Sequence, residues 1–342
     1  MSRQLRTLLI GVVLVIILGV ASFSLSVPYV VLSPGPTVNT LGQDSGADII
    51  AIDGHSVSRT SGNLNLTTVS VDTQNTTVIG AIRGWLAHDE VVVPHDSVYP
   101  PGKTEDQTNA QDKQDFLQSQ DLATAAAACE LKYPRGYGIL GVNSDSPNAG
   151  VLKVGDALVS LDGRPTTKDA DLRKVLATLK AGQQVPMVVI RSGRQLTVTV
   201  KLGPPATGGT TPLLGITVTA GCLIPFQVSL ALAGIGGPSA GLMFSLGIVD
   251  KIGTDDLTHG RFIAGTGTID GDGMVGAIGG IQLKMLGARR AGASIFLAPA
   301  ANCADVRGNI PSGLNVIKVT SLHDAITSLD ALNAGNTDVP HC

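Results

Sequence analysis

The sequence predicts an α+β fold that follows one N-terminal transmembrane helix. Residues 8–27 form an uncharged apolar segment, about as long as the ~20 residues that a helix needs to cross a bilayer. After it, segments of alternating apolar and polar residues, such as Leu64–Val71, are followed by alanine-rich or amphipathic segments, such as Asp115–Cys129. These two patterns are typical of strands and helices, respectively. Finally, 42 glycines in 342 residues, without a Gly-X-Y period, indicate many tight turns.

Composition excludes several classes of protein. Hydrophobic residues make up 43% of the chain and charged residues 15%, which is unlike a disordered chain. The net charge of −3 lacks the basic excess of a nucleic-acid-binding protein, so we expect no nucleic-acid partner. The length predicts about two domains. The oligomeric state stays open, and a homo-oligomer is compatible with the sequence.

Charges around the apolar segment predict its orientation. Arg3 and Arg6 precede the segment, and the next basic residue is Arg59. By the positive-inside rule, residues 1–7 are cytoplasmic, residues 8–27 cross the cell membrane, and the rest of the chain is extracytoplasmic. The alternative is a signal peptide cleaved near Ser22–Ser24. Both alternatives place the bulk of the chain outside the cytosol.

The four cysteines are consistent with that compartment. Cys129, Cys222, Cys303 and Cys342 can form disulfides that persist in an oxidising environment. Three pairings are allowed, and the sequence does not choose between them. None of the four lies in a CxxC or Cys/His zinc spacing, so we expect neither a metal nor another cofactor.

The middle of the chain contains a compact unit at residues 134–203. Turn signals at Gly155-Asp156 and Asp162-Gly163 bracket a predicted strand. The remaining predicted elements are a strand from Gly136, a helix at Asp169–Leu179, and strands at Val185–Ile190 and Gln195–Leu202. Together with the segment GVLKVGDALVSLDGR, this order resembles a bacterial PDZ domain.

The PDZ resemblance implies a peptide-binding site. PDZ domains add an extended peptide to a sheet edge and hold its C-terminal carboxylate with backbone N–H groups of a glycine-flanked loop. By resemblance, this loop is Arg135, Gly136, Tyr137, Gly138 and Ile139, and the helix at 169–179 forms the other wall of the groove. The alternative is a spacer domain that binds nothing.

A serine in a glycine-rich turn is the candidate nucleophile. Ser239 lies in the segment GGPSAG, just before the apolar predicted helix LMFSLGIVDKI. Pro238 suits the first turn of a helix, and free N–H groups there can stabilise an oxyanion. We therefore assign Gly237, Pro238 and Ala240 to a nucleophile and oxyanion loop. The alternative is that Ser239 only caps the helix.

A lysine is the candidate general base. On a helix built from GIQLKMLGARRA, the residues that share a face with Lys284 are small or apolar, whereas Arg289 and Arg290 lie elsewhere. An ammonium group on such a face loses solvation, which lowers its pKa and lets the neutral amine act as a base. The alternative is that the lysine side chain extends to the surface.

A histidine base is a weaker alternative. The segment GPSAG also fits the G-x-S-x-G nucleophile elbow of α/β-hydrolases, with Asp305 and His323 downstream in the required order. However, no HGGG-like oxyanion segment lies upstream. The G-x-G-x-x-G match at 271–276 lacks a following helix start and predicts a hairpin instead. The sequence also has no P-loop motif.

Together, GGPSAG and AGTGTIDGDGMVGAIGGIQLKMLGARRAGA resemble the proteolytic domain of Lon-type serine/lysine proteases, in particular their membrane-anchored, PDZ-containing bacterial relatives. The clear similarity covers residues 213–332. The resemblance implies that Ser239 is the nucleophile, Lys284 the general base and Thr266 the residue that orients the lysine. ATP-driven members carry an aspartate where this chain has Gly236, and no ATPase motif is present, so the resemblance implies an ATP-independent endopeptidase.

The resemblance also predicts how the domains are arranged. The family's proteolytic domain is larger than residues 213–332, and its first part contains a strand and an alanine-rich helix. Residues 28–133 contain matching segments, so we expect the PDZ unit to be inserted within the proteolytic domain. The expected substrates are unfolded or PDZ-presented envelope proteins. The alternative function is a non-catalytic PDZ adaptor that binds protein C-termini at the membrane surface.

Overall fold

A computed structural model describes residues 3–72, 76–166, 169–191, 194–222, 224, 226–232 and 234–342. The helices are α1 (Arg3–Ser24), α2 (Val78–Leu86), α3 (His95–Val98), α4 (Glu105–Glu130), α5 (Asp169–Ala177), α6 (Gly241–Ile252), α7 (Ile281–Ala291), α8 (Cys303–Val306) and α9 (Leu322–Asn333). The strands are β1 (Tyr29–Asn39), β2 (Gln43–Asp44), β3 (Ala47–Asp48), β4 (Ile50–Asp53), β5 (Asn63–Asp72), β6 (Val91–Pro94), β7 (Arg135–Val142), β8 (Ala157–Leu161), β9 (Arg164–Pro165), β10 (Gln184–Arg191), β11 (Arg194–Lys201), β12 (Ile216–Cys222), β13 (Gln227–Leu230), β14 (Phe262–Gly265), β15 (Thr268–Ile269), β16 (Val275–Gly276), β17 (Ile295–Pro299) and β18 (Asn315–Val319).

The N-terminal apolar segment is helical, as predicted. Helix α1 has 22 residues, and none of them is buried against the rest of the protein. It is long and apolar enough to cross a membrane. The fold therefore has one candidate span among its described residues.

Two sheets have six strands each, and the one in the larger unit of the chain, called the larger sheet below, combines strands from both ends of the chain. Its order is β18-β17-β14-β5-β1-β6. The four strands from β18 to β5 are parallel, whereas β1 is antiparallel to both β5 and β6. Strands from residues 29–94 and 262–319 thus form one sheet, and the second sheet lies between them in the chain. We call the unit that contains the second sheet the inserted unit.

Helices cover both faces of this sheet. Alternate residues of β17 point to opposite faces: Leu297 packs with α6 and α9, whereas Phe296 packs with α7. Helix α6 is buried from Gly241 to Lys251, and the small side chains of Ala123, Ala126 and Ala127 let α4 pack closely against it. The result is a three-layer unit with its main core between the sheet and α6.

The second sheet has the order β11-β10-β8-β7-β12, with β9 paired to β8. Leu172, Val175 and Leu176 of α5 pack on it and close a separate core. Strand β12 pairs antiparallel with β7, although the sequence analysis assigned residues 213–332 to the proteolytic domain. The inserted unit therefore extends to Cys222.

Helix α4 begins earlier than predicted. The pattern in the sequence predicts this helix only over Asp115–Cys129, because the segment before Asp115 is rich in polar residues. In the structure, Thr104 and Gln107 form a capping box that starts the helix at Glu105. The polar first half of α4 is mostly exposed, and its alanine-rich second half is buried.

Two disulfides select one of the three allowed pairings. Cys129 of α4 bonds to Cys222 of β12, and Cys303 of α8 bonds to Cys342. The first ties the inserted unit to α4 of the larger unit. The second ties the C-terminus to the face of the sheet that α7 covers.

Candidate active site

The loop before α6 presents Ser239. The first turn of α6 is capped by Ala240, so Ser239 precedes the cap and its hydroxyl is free of the capping role. Two residues of α4 fix the loop backbone: Asp112 O accepts from Gly237 N (2.8 Å), and Ser119 Oγ donates to Pro238 O (3.0 Å). Gly237 has φ of +80°, which only glycine adopts readily.

The segment after β14 holds the backbone of Ser239. The Thr266 hydroxyl donates to Ser239 O at 3.1 Å, and Gly267 N donates to the same carbonyl at 2.9 Å. Thr266 is fully buried. Because β14 lies inside the larger sheet, these two donors place Ser239 relative to a rigid element.

Lys284 reaches the same point from α7. Its Nζ lies 2.7 Å from Ser239 Oγ and 3.0 Å from Thr266 Oγ1. The helix starts at Gly280, whose φ of +68° and close approach to Val69 of β5 set where α7 begins. The structure thus brings together the three residues to which the sequence analysis assigned catalytic roles.

Burial changes the acid–base chemistry of the lysine. Lys284 is only 4% exposed, so its side chain does not extend to the surface. Loss of solvation lowers its pKa from 10.5 to about 8. About a tenth of the amine is therefore neutral and carries a lone pair at pH 7, and about half is neutral at pH 8. A neutral amine at 2.7 Å can accept the Ser239 hydroxyl proton.

The three predicted loop residues are not equivalent. Gly237 N already donates to Asp112 O, and Pro238 has no N–H group, so neither can donate to an oxyanion. Ala240 N has no acceptor among the described contacts, and it lies next to Ser239 at the start of α6. Of the predicted set, Ala240 fits the oxyanion role, and Gly237 and Pro238 hold the loop in place.

A cleft of about 530 Å³ opens onto Ser239 and Lys284. Residues 67–71 of β5 form one wall, and Gly234, Ile235 and Gly236 line the cleft as well. Strand β14 pairs with β5 only as far as Leu66. Beyond that residue, the edge of β5 that faced β14 is open to the cleft.

The histidine alternative does not fit the geometry. His323 lies at the start of α9, is exposed, and bonds through Nδ1 to Glu130 Oε1 at 3.0 Å. Asp305 lies on α8, where its backbone carbonyl accepts from Asn309. Neither residue is among the described partners of Ser239, which are Lys284, Thr266 and Gly267. The G-x-G-x-x-G segment forms the turn of the β15–β16 hairpin, as the sequence analysis expected.

The predicted carboxylate-binding loop requires correction. Residues 135–139 are part of β7, an inner strand that pairs with β12 on one edge and β8 on the other. Gly136 faces Gly221 of β12, Gly138 pairs on both edges, and the side chains of Tyr137 and Ile139 are buried. Arg135 instead forms an ion pair with Asp272 at 3.0 Å. An inner strand has no free edge on which a peptide could add.

The edge strand beside β7 is β12, which was not identified from the sequence; β11 forms the opposite edge of this sheet. The turn before β12 contains Gly215 at φ of +68°. The Leu214 carbonyl of this turn accepts from Ser146 Oγ at 2.9 Å and from Asn148 Nδ2 at 2.8 Å. Leu214 also packs in the same core as α5. The signal in the sequence was the segment PLLGITV, a glycine turn that leads into an alternating strand.

Comparison with known families identifies two segments. Residues 109–202 match the PDZ domain, and residues 233–331 match the C-terminal proteolytic domain of Lon protease (S16). The chain therefore contains a PDZ domain and a Lon-type proteolytic domain, as the resemblance implied. The Lon-type match includes Ser239, Thr266 and Lys284.

Matches to curated relatives are each about one domain long. A 74-residue segment is 38% identical to a probable periplasmic serine endoprotease DegP-like of Pseudomonas fluorescens, covering 21% of this chain and 16% of the relative. An 82-residue segment is 39% identical to the periplasmic pH-dependent serine endoprotease DegQ of Escherichia coli, covering 23% and 18%. The chain thus spans less than a fifth of these relatives.

Solved PDZ structures match a similar share of the chain. The PDZ domain of an SdrC-like protein from Listeria monocytogenes is 25% identical, covers 24% of this chain and 86% of its own, and has a TM-score of 0.23. The second domain of a Listeria innocua protein is 26% identical, with 25% and 85% coverage and the same TM-score of 0.23.

Proposed function

We propose that this protein is a membrane-anchored serine endopeptidase that cleaves unfolded or PDZ-presented envelope proteins without ATP. In this proposal, α1 is the single-pass anchor, with its N-terminus in the cytoplasm and the catalytic unit outside. Ser239 is the nucleophile, Lys284 is the general base, and Thr266 orients the lysine. The periplasmic location that the names of the DegP-like relatives state agrees with this placement.

One observation carries the proposal. A buried lysine, whose pKa falls to about 8, lies 2.7 Å from the hydroxyl of a serine at a helix start. A buried ammonium without a carboxylate partner is costly, and among the described contacts Lys284 bonds only to two hydroxyl groups through Nζ. A base that must lose and regain a proton during each turnover explains this arrangement.

The geometry supports the following sequence of proton transfers. Neutral Lys284 accepts the hydroxyl proton as Ser239 Oγ attacks the peptide carbonyl carbon. The N–H of Ala240 and the dipole of α6 stabilise the oxyanion. Lys284 then protonates the leaving amine, and the acyl group stays on Ser239. Finally, the lysine takes a proton from water as the water attacks the ester carbon, and it gives this proton to Ser239 Oγ as the carbon–oxygen bond of the ester breaks, which releases the product acid and restores the neutral amine.

The cleft supports an extended substrate. The open edge of β5 beyond Leu66 offers backbone donors and acceptors beside Ser239. A peptide that adds to this edge as a strand places its carbonyl carbons along the line of the cleft. This mode requires an unfolded segment, because a folded substrate has already paired its backbone.

The second site for peptides is the free edge of β12. The turn at Leu214–Gly215 supplies N–H groups for a C-terminal carboxylate, and the apolar face of α5 lies in the same core. The end of β12 near Cys222 is covered by α4, so the open part of the edge is the half next to that turn. We assign the PDZ ligand site there in place of residues 135–139.

The test is cleavage of unfolded casein by the full chain in detergent micelles, without nucleotide. We expect wild type to cleave casein and both Ser239→Ala and Lys284→Ala to lose turnover. The matched control is His323→Ala, which should cleave at the wild-type rate. Casein that stays intact with wild type would overturn the proposal and favour the adaptor, and loss of activity in only the histidine variant would favour the elbow alternative.

A separate assay tests the β12 site. Two unfolded substrates of identical sequence are compared, one with a free C-terminal carboxylate and one with a C-terminal amide. We expect the free acid to have the lower KM and the two to share the same kcat, because the carboxylate contributes only to tethering. Equal KM values would remove the proposed carboxylate site and leave the Ser239–Lys284 proposal intact.

A further inference from the structure

Helix α2 presents its large apolar side chains to the outside. At 100° per residue, Val78, Ile79, Ile82, Trp85 and Leu86 share one face of the helix. Ile82 is 42% exposed, Trp85 is 65% exposed and Leu86 is 75% exposed. We call these five residues the apolar face of α2. A helix on the surface of a soluble protein has the reverse pattern, with its apolar face inward.

The side of α2 that packs on the protein consists of small residues. Ala81 and Gly84 are its buried positions, and a Cβ at Gly84 would lie 2.7 Å from Val92 Cγ2 of β6. This contact holds α2 close to the edge of the larger sheet. The orientation of α2 is thus fixed by tight packing of its small side, and Ile82, Trp85 and Leu86 of the apolar face stay exposed in the described part of the chain.

The apolar face lies directly beside the end of α1. The chain leaving α1 pairs with the segment that enters α2, through Val27 N to Thr76 O at 2.8 Å and Val78 N to Leu25 O at 3.2 Å. The two helices are also in contact. Since α1 ends at Ser24, α2 begins where the proposed membrane span meets the extracytoplasmic surface.

The side chains around the apolar face suit a lipid headgroup region. The Trp85 and Tyr29 rings pack edge to face, with centroids 6.2 Å apart, and such aromatic residues favour the membrane interface. Arg83 pairs with Glu90 at 3.5 Å but keeps its side chain 81% exposed, and it flanks the face where it can also contact lipid phosphates. An exposed apolar surface next to a membrane anchor is most stable when lipid covers it.

We propose that α2 is an interfacial helix whose apolar face inserts into the headgroup–acyl boundary of the leaflet from which α1 emerges. This inference rests on the proposed membrane anchorage by α1 and not on the protease chemistry. It adds a second attachment point, about 13 Å long, which fixes the orientation of the larger sheet relative to the membrane. The partner is therefore a lipid surface and not another protein.

Trp85 provides a direct test because it is the only tryptophan in the chain. The full chain is reconstituted into phosphatidylcholine–phosphatidylglycerol vesicles, with and without phosphatidylcholine brominated near the upper part of its acyl chains. We expect bromolipid to quench Trp85 fluorescence strongly and acrylamide to quench it weakly. The matched control is the double variant Trp85→Phe/Ile310→Trp, since Ile310 is 47% exposed and precedes β18, at the opposite edge of the sheet.

The expected result is several-fold stronger bromolipid quenching at position 85 than at position 310, with the reverse order for acrylamide. The variant Ile82→Asn/Leu86→Asn, which keeps Trp85, should lose most of the bromolipid quenching. Equal acrylamide quenching at both positions in vesicle-bound protein would overturn the proposal. Protein that fails to float with vesicles would overturn both the anchor and the interfacial helix, whereas casein cleavage would be unaffected by either result.

Discussion

Replacing Lys284 with methionine should stabilise the fold while it abolishes turnover. Methionine has nearly the length and volume of lysine without the ammonium group, so it fills the same space beside Ser239 and Thr266. Lys284 is 4% exposed, because it lies on the side of α7 that is buried in the protein. Variants that lose catalytic function and gain stability are expected where a functional group is held in an unfavourable environment.

The structure sets the size of the effect. Burial lowers the pKa of Lys284 from 10.5 to about 8, and one pKa step corresponds to about 1.4 kcal/mol, so the ammonium costs the folded state about 3 kcal/mol at neutral pH. Methionine loses the bonds to the hydroxyls of Ser239 and Thr266, at about 1 kcal/mol each. The expected net gain in the free energy of unfolding is about 1–2 kcal/mol at pH 7.

The stability gain should depend on pH in a defined direction. Below pH 8, Lys284 is charged in both the folded and unfolded states, so the cost of burying the charge is fully present. Between about 8 and 10.5, the folded lysine is neutral and the unfolded lysine still binds a proton. The free energy of unfolding of wild type rises over this interval. The advantage of the methionine variant should therefore shrink and then reverse.

The assay is urea unfolding of the full chain in detergent, followed by circular dichroism from pH 7 to pH 10.5. The matched control is Lys251→Met. Lys251 is 6% exposed, but its Nζ donates to Ile50 O at 2.7 Å and lies 3.8 Å from an Asp48 carboxylate oxygen, so its loss should destabilise the protein. The reasoning would be refuted if Lys284→Met were less stable than wild type at pH 7, or if the difference in their free energies of unfolding did not change with pH.

Three further outcomes follow from the same geometry. Casein turnover should rise about tenfold per pH unit below pH 8 and level off above it, because the neutral form of Lys284 is the proposed base. A steady-state rate that does not change with pH would contradict this. Gly280→Ala should lower kcat at least tenfold, because its Cβ would lie 2.8 Å from a valine of β5 and would shift α7. The control is Gly308→Ala, which has φ of +78° and no neighbour within 4 Å; it should lower the free energy of unfolding by about 1–2 kcal/mol, measured by thermal unfolding, and leave kcat unchanged. Removing the Cys129–Cys222 disulfide should lower the free energy of unfolding by about 0.8 kcal/mol more than removing Cys303–Cys342, because the two disulfides have sequence separations of 93 and 39. Equal losses in urea titrations of the two double Cys→Ser variants would show that loop entropy does not dominate.

Ser239 and Lys284 could be identified from the sequence because each lies in a short local motif. The Ser239 turn precedes an apolar helix, and Lys284 occupies the small-residue side of another helix, so local periodicity describes both. The support from α4 was not visible. Asp112 and Ser119 contact the Ser239 loop across more than a hundred residues of chain, and their own segment looks like an ordinary polar stretch.

Long-range strand pairing also explains what was missed in the inserted unit. Gly136–Ile139 resembles a glycine-flanked ligand loop, and nothing local shows that another strand pairs with it. That partner, β12, follows a linker and pairs back across about eighty residues. The PDZ match itself ends at residue 202, before β12 begins. A sequence pattern specifies a strand far better than it specifies which strand lies beside it.

Helix α4 sets the spacing between the Ser239 loop and β12, the strand proposed to hold a substrate C-terminus. One end of its buried half is bonded to β12 through Cys129, and Ser119 near its middle holds the loop of Ser239. Ten helical residues separate these points by about 15 Å, a span that an extended chain covers with about five residues. The proposed carboxylate site lies at the other end of β12 from Cys222, so the position of β12 relative to Ser239 would set where a substrate held by its C-terminus is cut, and the C-terminal products would share a minimum length.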